Sequence, residues 1–413
     1  NDIIVALSEI AHYIHFNKEY PISAIHINDV ITEYCQYYDN RYLTSARFIE
    51  ITETSGLLLR APSGYEFRFA SKNHLAYFIA KALNRKFHDT GSTSDLETIV
   101  RQSCFSINGD ILLFLTYISD NVNIPRLLLE QAVSYVSAWT EFDLSNIGVQ
   151  YLRAMPTNLL TQPADNEKEQ EVRTQTIDEE EYDAPIETVD IYDYDETEID
   201  KLTNQLIRAS LQLKIIARNF SAFISILPAT AKKDYVLAMY QLPNKIFNQW
   251  AEYVDNNLER FVEEIVNWQE TTEVKGKKMS RENIIRFFQE TSQALLISLY
   301  YNISIHGAND NTVDYLSQQD FISTSLNYQI ERLIFFEKVD DYNAVIREAE
   351  ALYSQHTDGM AQNPILANLR RMLVYSDKIT DRERRRISSK YFAPQTQTII
   401  LMDRQKAQKE NGI

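Results

Sequence analysis

The chain has 413 residues, of which 44% are hydrophobic, so it is long enough for two or three domains with their own cores. Only 9 glycines and 10 prolines occur, against usual frequencies of about 7% and 5%, which favours long helices with short connections and predicts a mainly α fold. The net charge of −17 is mostly local, because residues 161–200 hold sixteen acidic and two basic residues. The remaining charge of −3 therefore does not exclude nucleic acid as a partner.

The first 86 residues predict a winged-helix-like module. Apolar residues at helical spacing indicate helices over 2–18 and 27–39. Residues 44–86 then follow the order helix, strand, tight turn, strand and helix, which is the outline of a winged helix. The module is thus expected to contain a small β-hairpin within otherwise helical structure.

The hairpin is predicted from two short strands and a turn. Leu57–Arg60 and Tyr65–Phe69 flank a four-residue connection over 61–64 that contains proline and glycine. In the second strand Tyr65, Phe67 and Phe69 alternate with charged residues, so we expect these three rings to face inward. Ser71 is expected to cap the helix that follows.

The rest of the chain predicts helices on both sides of an acidic segment. Residues 87–160 form a predicted helical extension, and 161–198 a flexible acidic linker. Aromatic and apolar residues such as Ile191 and Tyr192 also allow this segment to be a docking strand. Residues 199–393 predict an α-helical bundle or solenoid, with breaks at Pro228 and Pro243. Residues 394–413 predict a polar tail that is either loose or a docking arm.

Two segments resemble a known group of proteins. Residues 55–83, SGLLLRAPSGYEFRFASKNHLAYFIAKAL, are similar to the segment that follows the nucleotide-binding core in NACHT-type and related STAND signalling ATPases. Ser55, Gly56 and Leu57 belong to the matching positions, with Leu58, Tyr65 and Phe67. The chain departs from the pattern at Phe69, where the family often has His, and at His74 and Leu75, where it often has Glu and Tyr.

The second segment, residues 202–246, is similar to a helical stretch of bacterial STAND proteins proposed to act against phage. Together the resemblances imply a non-catalytic regulatory or sensor portion of such an ATPase, downstream of a nucleotide-binding domain in a longer polypeptide. Its partners would be that upstream domain and an unidentified protein or ligand trigger. The winged helix would then face protein rather than DNA.

No residue pattern predicts catalysis or a cofactor. A phosphate-binding loop needs glycines followed by Lys-Ser/Thr, and Lys275-Gly-Lys-Lys278 has neither the order nor the hydroxyl. His12 and His15 lie three residues apart, but neither a third nor a fourth metal ligand is evident nearby except His26. We therefore predict no enzyme, no cofactor and no metal site.

The location of the protein is predicted from what its composition lacks. Two cysteines, Cys35 and Cys104, are too few for a disulfide framework. No apolar stretch approaches the ~20 residues that cross a bilayer. We expect a cytoplasmic protein that does not contact a membrane.

Basic residues supply the candidate interaction surface. Residues 41–86 hold eight basic and three acidic residues, and a second basic run lies on a predicted helix near residue 384. The candidate residues are Arg60, Arg68, Lys72, Arg382, Arg384, Arg385 and Arg386. They favour two alternatives to the ATPase hypothesis: a nucleic-acid-binding regulator that contacts phosphates through the winged helix, or an α-helical scaffold in which such runs are solvated faces.

Overall fold

The computed structural model describes residues 2–103, 107–119, 123–153, 155–157, 201–271, 278–339 and 341–410. The predicted acidic linker, 161–198, lies outside these residues, as does Cys104. The described part of the chain is mainly helical, which confirms the mainly α character that the sequence predicts. It divides into two compact units, with boundaries between Gln131 and Ala132 and between Ile215 and Ile216.

The first unit contains most of the helices of the N-terminal third and the only strands that the structure describes. Its elements are α1 (Asp2–Asn17), β1 (Ile22–Ser23), α2 (Ala24–Tyr37), α3 (Ser45–Thr54), β2 (Leu58–Arg60), β3 (Glu66–Phe69), α4 (Lys72–Thr90), α5 (Ser94–Arg101), α6 (Asn108–Ile118) and α7 (Asn123–Tyr135), the last of which crosses the unit boundary. The first part of α8 (Leu202–Phe223) belongs to this unit as well.

Local chemistry explains the predicted hairpin. Thr44 caps α3 and Ser71 caps α4, each accepting a hydrogen bond from a backbone N–H three residues later. Gly56 ends α3 at φ 68°, and Gly64 sits in the hairpin turn at φ 83°, both in the region that favours glycine. The predicted strands are present, shortened by one residue each at their N-terminal ends.

The sequence did not reveal β1, which completes a three-stranded antiparallel sheet of order β1-β3-β2. Ile22 pairs with Phe67, and Leu58 pairs with Phe69. A strand of two residues has no periodicity to detect. Its place in the sheet is set by pairing with β3, which is a long-range contact.

The core of the first unit lies between this sheet and the helices α1, α3 and α4. Phe48, Phe67 and Phe69 are fully buried, and the ring centroids of Phe69 and Phe78 are 5.9 Å apart. Helix α4 packs against both α1 and α6, so it connects the hairpin module to the following helices. Tyr65 departs from the predicted inward pattern, because it precedes β3 and is 68% exposed.

The second unit is built from long helices. They are the end of α8, α9 (Ala229–Thr271), α10 (Arg281–Gly307), α11 (Asp310–Ser317), α12 (Leu326–Lys338), α13 (Tyr342–Gln355), α14 (Gly359–Tyr375), α15 (Asp381–Tyr391) and α16 (Pro394–Glu410). Helix α12 packs against α9, α10, α11, α13 and α14. That central position explains why both its apolar and many of its polar residues are buried.

Two sequence predictions are wrong in this unit. Pro243 does not break the chain, because α9 continues through it, and Leu242, Pro243 and Asn244 are all buried. Packing on both sides of the proline outweighs the about 3 kcal/mol that a proline costs inside a helix. Residues 394–410 are a helix rather than a loose tail, since Ile400 and Ala407 are buried and Arg370 pairs with Asp403 at 2.8 Å.

A polar network occupies the centre of the second unit. The side-chain amide of Asn327 donates to the carbonyl of Phe142 at 3.0 Å and to Oδ1 of Asn244 at 2.6 Å. The hydroxyl of Tyr300 donates to the same Oδ1 at 2.7 Å, and Asn244 donates to Oε1 of Glu331 at 3.1 Å. The network therefore ties α9, α10, α12 and the segment around residue 142 together.

Glu331 is the ionisable carboxyl group of this network. It is 1% exposed, and its Oε2 has no hydrogen-bond partner in the described part of the chain. Burial raises the pKa of Glu331 well above its usual value; the bond from Asn244 opposes this, and the nearby Glu141 adds to it. Glu141 in turn accepts a hydrogen bond from Tyr328 at 2.7 Å. The surroundings of Glu331 in the folded protein therefore favour its neutral form.

We predict that Glu331 makes the protein less stable as pH rises. Its folded pKa lies above the unfolded value of about 4.3, so between the two values the folded state binds more protons. The free energy of unfolding falls with pH in that window by up to about 1.4 kcal/mol per pH unit. Glu331→Gln, which imitates the neutral carboxyl, is expected to flatten this slope and to be more stable than the parent at pH 8, as measured by urea denaturation from pH 5 to 8.

The matched control is Glu263→Gln, which removes an exposed carboxylate from α9. It should keep the slope of the parent. Equal slopes for the parent and Glu331→Gln would contradict the prediction.

Candidate functional site

Arg60 is exposed, but its guanidinium bonds to groups of its own module. Its guanidinium donates to both carboxylate oxygens of Glu53, at 2.9 and 2.7 Å, and to the carbonyl of Gly64 at 2.8 Å. The same group lies 4.8 Å from the centre of the Phe67 ring. Arg60 therefore joins α3, the hairpin turn and β3, and its donors are already directed at protein acceptors.

Arg68 and Lys72 differ in their surroundings. Arg68 on β3 is half-buried and acts electrostatically on Tyr20, whose pKa is raised mainly by burial. Lys72 is exposed at the start of α4, with its Nζ 3.7 Å from the Oδ2 of Asp110 on α6. The structure does not bring these two side chains and Arg60 together into one unpaired basic patch.

Acids from other helices offset the positive balance counted over residues 41–86. Arg85 pairs with Glu9 on α1, and Lys86 lies 3.7 Å from Asp95 on α5. Helix α3, which lies beside the hairpin, also carries the exposed Glu50. Counting charges along one stretch of sequence could not show these pairings, because Glu9, Asp95 and Asp110 all lie outside it.

The second basic run is divided between surface and interior. Arg382, Arg385 and Arg386 are exposed on α15, as predicted for a surface run. Arg384 is instead 4% exposed, which corrects its assignment to the interaction surface. Helical spacing turns it toward the end of α14, away from its three neighbours.

Arg384 satisfies the carbonyl groups at the C-terminal end of α14. It donates to the carbonyls of Ser376 at 2.8 Å and Ile379 at 3.0 Å, and also to that of Leu373. Helix C-termini leave carbonyls without partners, and an arginine can supply the missing donors. The role of Arg384 is therefore structural.

Histidines at the start of the chain lie in a hydrogen-bonded cluster. Nε2 of His12 is 2.9 Å from Oδ2 of Asp95, and burial lowers the pKa of His12. Burial also lowers the pKa of His15 to about 4, so it is neutral at physiological pH. Among the described residues no group of three or more His, Cys, Asp or Glu side chains could hold a metal ion.

A groove borders α3 and the hairpin. This hairpin groove has a volume of about 500 Å³ and is lined by ten residues: Ala24, Ala46, Ile49, Glu50, Glu53, Thr54, Arg60, Gly64, Tyr65 and Phe67. The backbone N–H of Ala24 donates to the carbonyl of Tyr65 at 2.8 Å, which brings the start of α2 beside the turn. Ile25, the next residue, is 71% exposed. Exposed apolar and aromatic side chains of this kind are typical of protein-binding surfaces.

Comparison with known proteins adds no relative: no protein-family model, no curated protein and no solved structure matches the chain. Over the described ranges, no helix is both long and apolar enough to cross a membrane.

We predict that Arg384 contributes strongly to stability. Arg384→Met keeps the aliphatic packing but leaves three carbonyls without this donor, and we expect it to lower the free energy of unfolding by about 2–3 kcal/mol. Urea denaturation measures the loss. The matched control, Arg385→Met, changes an exposed residue of the same helix and should leave stability unchanged; similar losses for both variants would contradict the structural role of Arg384.

Proposed function

We propose that residues 2–69 form a winged helix and that the chain is a non-catalytic regulatory portion of a STAND-type signalling ATPase. A winged helix combines three helices with a small sheet that ends in a hairpin. The order α1, β1, α2, α3, β2, β3 and the strand order β1-β3-β2 support this assignment. The resemblance of residues 55–83 to STAND proteins connects the module to that family.

The observation that carries the protein-facing role is the pairing of Arg60 with Glu53. A winged helix that binds DNA needs cations available for phosphates, since phosphate contacts supply most of the affinity. Here Arg60 is committed to Glu53 and Gly64, and α3 adds the exposed Glu50. Tyr65, which lines the hairpin groove, and Ile25, which follows the groove residue Ala24, are both exposed. This chemistry favours a protein partner.

In this proposal the winged helix packs against an upstream nucleotide-binding domain of the same polypeptide, and the helices of the second unit recognise a protein or ligand trigger. Signalling would repack the interface between the module and the ATPase. This interface would have two arrangements, and the ligand would favour one of them. A cytoplasmic bacterial protein used in defence against phage fits this mechanism. The two resemblances supply that context.

The first test is the intact mass of the native polypeptide that carries this sequence. We expect a mass well above 48.1 kDa and upstream peptides that contain a glycine-rich loop ending in Lys-Ser/Thr. In that polypeptide, exchanging ADP for ATP should change the hydrogen exchange of α3 and the hairpin, since these elements would contact the ATPase. A native mass of 48.1 kDa would overturn the proposal.

The nucleic-acid alternative is favoured by one observation, the exposure of Arg382, Arg385 and Arg386 along α15. Each cation that neutralises a phosphate makes DNA affinity fall as salt rises. If the protein bound DNA through these three arginines, replacing all three by Glu would abolish the binding. We expect no salt-dependent affinity for a DNA duplex in the unmodified protein, as measured by fluorescence anisotropy.

We predict that the Arg60–Glu53 pair stabilises the hairpin module rather than contacting DNA. Arg60→Glu places two carboxylates side by side, and we expect it to lower the melting temperature by about 2 °C. The charge-swapped double variant, Glu53→Arg with Arg60→Glu, should recover most of this loss. Calorimetry measures both variants.

The matched control is Arg47→Glu, which reverses an exposed charge on α3, the helix that carries Glu53. It should leave the melting temperature unchanged. A double variant as unstable as Arg60→Glu alone would argue against the pair.

A further inference from the structure

A second cavity of the first unit lies between α1, α2 and the C-terminal end of α4. We call it the tyrosine pocket, because Tyr34, Tyr37 and Tyr38 line it together with Glu9, Arg85 and Asp89. Its volume is about 350 Å³, at the lower end of the range for small-ligand sites. A pocket of this size accommodates one side chain or a small molecule.

The tyrosines form an aromatic wall that is only partly covered. The ring centroids of Tyr34 and Tyr38 are 4.9 Å apart, and those of Tyr37 and Tyr38 are 4.8 Å apart in an edge-to-face arrangement. Tyr34 is buried, but Tyr37 is 77% exposed. Its ring contributes little to the core and remains available at the rim of the pocket.

The charges around the pocket favour a cation. Arg85 pairs with Glu9, and Lys86 lies 3.7 Å from Asp95, so each cation of the pocket has an acid beside it. Glu33 and Asp89 also line the pocket, so three carboxylates face the two cations there; Asp89 acts electrostatically on Arg85 and lies 3.6 Å from Nδ1 of the exposed His88. The excess of carboxylates opposes an anionic ligand.

Two helix ends add to this negative potential. Helix α2 ends at Tyr37 and α4 ends at Thr90, and both residues line the pocket. The C-terminus of a helix carries a partial negative charge from carbonyls without intrahelical partners, and cations are stabilised near it. Two such ends meeting at one cavity, beside aromatic faces, make a cation-binding environment.

We propose that the tyrosine pocket binds an arginine side chain of a partner protein. A guanidinium stacks on a tyrosine face and forms forked hydrogen bonds with a carboxylate, and this pocket offers both partners. The protein already uses this chemistry there, since the guanidinium of Arg85 lies 5.9 Å from the centre of the Tyr38 ring. The inference is independent of the proposed ATPase and of the hairpin groove.

The test uses the full chain and three labelled peptides with a Gly-Ser background and one central residue: arginine, lysine or citrulline. Citrulline keeps the shape of arginine without its charge. At low salt, fluorescence anisotropy should show the arginine peptide binding at least tenfold more tightly than the citrulline peptide, with the lysine peptide between them. Equal affinities, or no binding of any peptide up to about 1 mM, would overturn the proposal.

Variants assign this binding to the pocket. Tyr37→Ala and Glu33→Gln alter exposed residues and should each weaken the binding of the arginine peptide about twofold to fivefold, roughly the value of one exposed cation–π or ion-pair contact. The matched control is Tyr42→Ala, which removes an 85% exposed tyrosine that does not line the pocket. It should leave the affinity unchanged. Equal effects of Tyr37→Ala and Tyr42→Ala would overturn the assignment.

A competition experiment separates a protein partner from a free cationic metabolite. Free arginine should displace the arginine peptide at least tenfold less well than the unlabelled peptide does, because its own α-carboxylate is repelled by the carboxylates that line the pocket. If free arginine displaces the labelled peptide as well as the unlabelled peptide does, the proposal of a protein partner is overturned and the pocket is a small-molecule site.

Discussion

The pairing of arginines with acids and backbone carbonyls is the interaction on which the charged surfaces of this protein depend. Arg60 is held by Glu53, Arg85 by Glu9, and Arg384 by three backbone carbonyls. A paired cation loses most of its ability to attract a phosphate, because its charge is cancelled nearby and its donors are occupied. Pairing therefore decides which basic residues act outward and which fix the fold.

Local signals in the sequence were sufficient to predict the helices and the hairpin. Caps such as Thr44 and Ser71, and the two glycines at positive φ, act within a few residues of the backbone they fix. The helices α12 to α15 lie within residues 199–393, where apolar residues at helical spacing predict helices. The winged-helix assignment itself goes beyond these local elements and is a proposal.

Tertiary contacts explain what the sequence could not predict. Pro243 is tolerated because packing on both of its sides stabilises α9, and residues 394–410 fold because α14 offers them a partner. Arg384 lies in a run of exposed arginines, and only the position of the end of α14 distinguishes it from them. The tyrosine pocket joins residues more than 50 positions apart, so no motif could indicate it.

The buried polar network illustrates the same limit of local reasoning in the second unit. Asn244 and Asn327 are buried on their helices, where they bond each other and Tyr300. An amide buried in this way is stable only if all of its partners are in place, so the network selects one arrangement of α9, α10 and α12. Glu331 is retained there at a cost that grows as pH rises, because its neutral form is the one that fits.

Helix α2 connects the two candidate surfaces of the first unit. Ala24 at its start lines the hairpin groove, and Tyr37 at its end lines the tyrosine pocket. Its 14 residues place these positions about 20 Å apart along one helix axis. A continuous helix with a buried face holds these two positions at a fixed distance. A partner that fills both surfaces would gain affinity through effective concentration, with an arginine placed about 20 Å from the segment that occupies the hairpin groove.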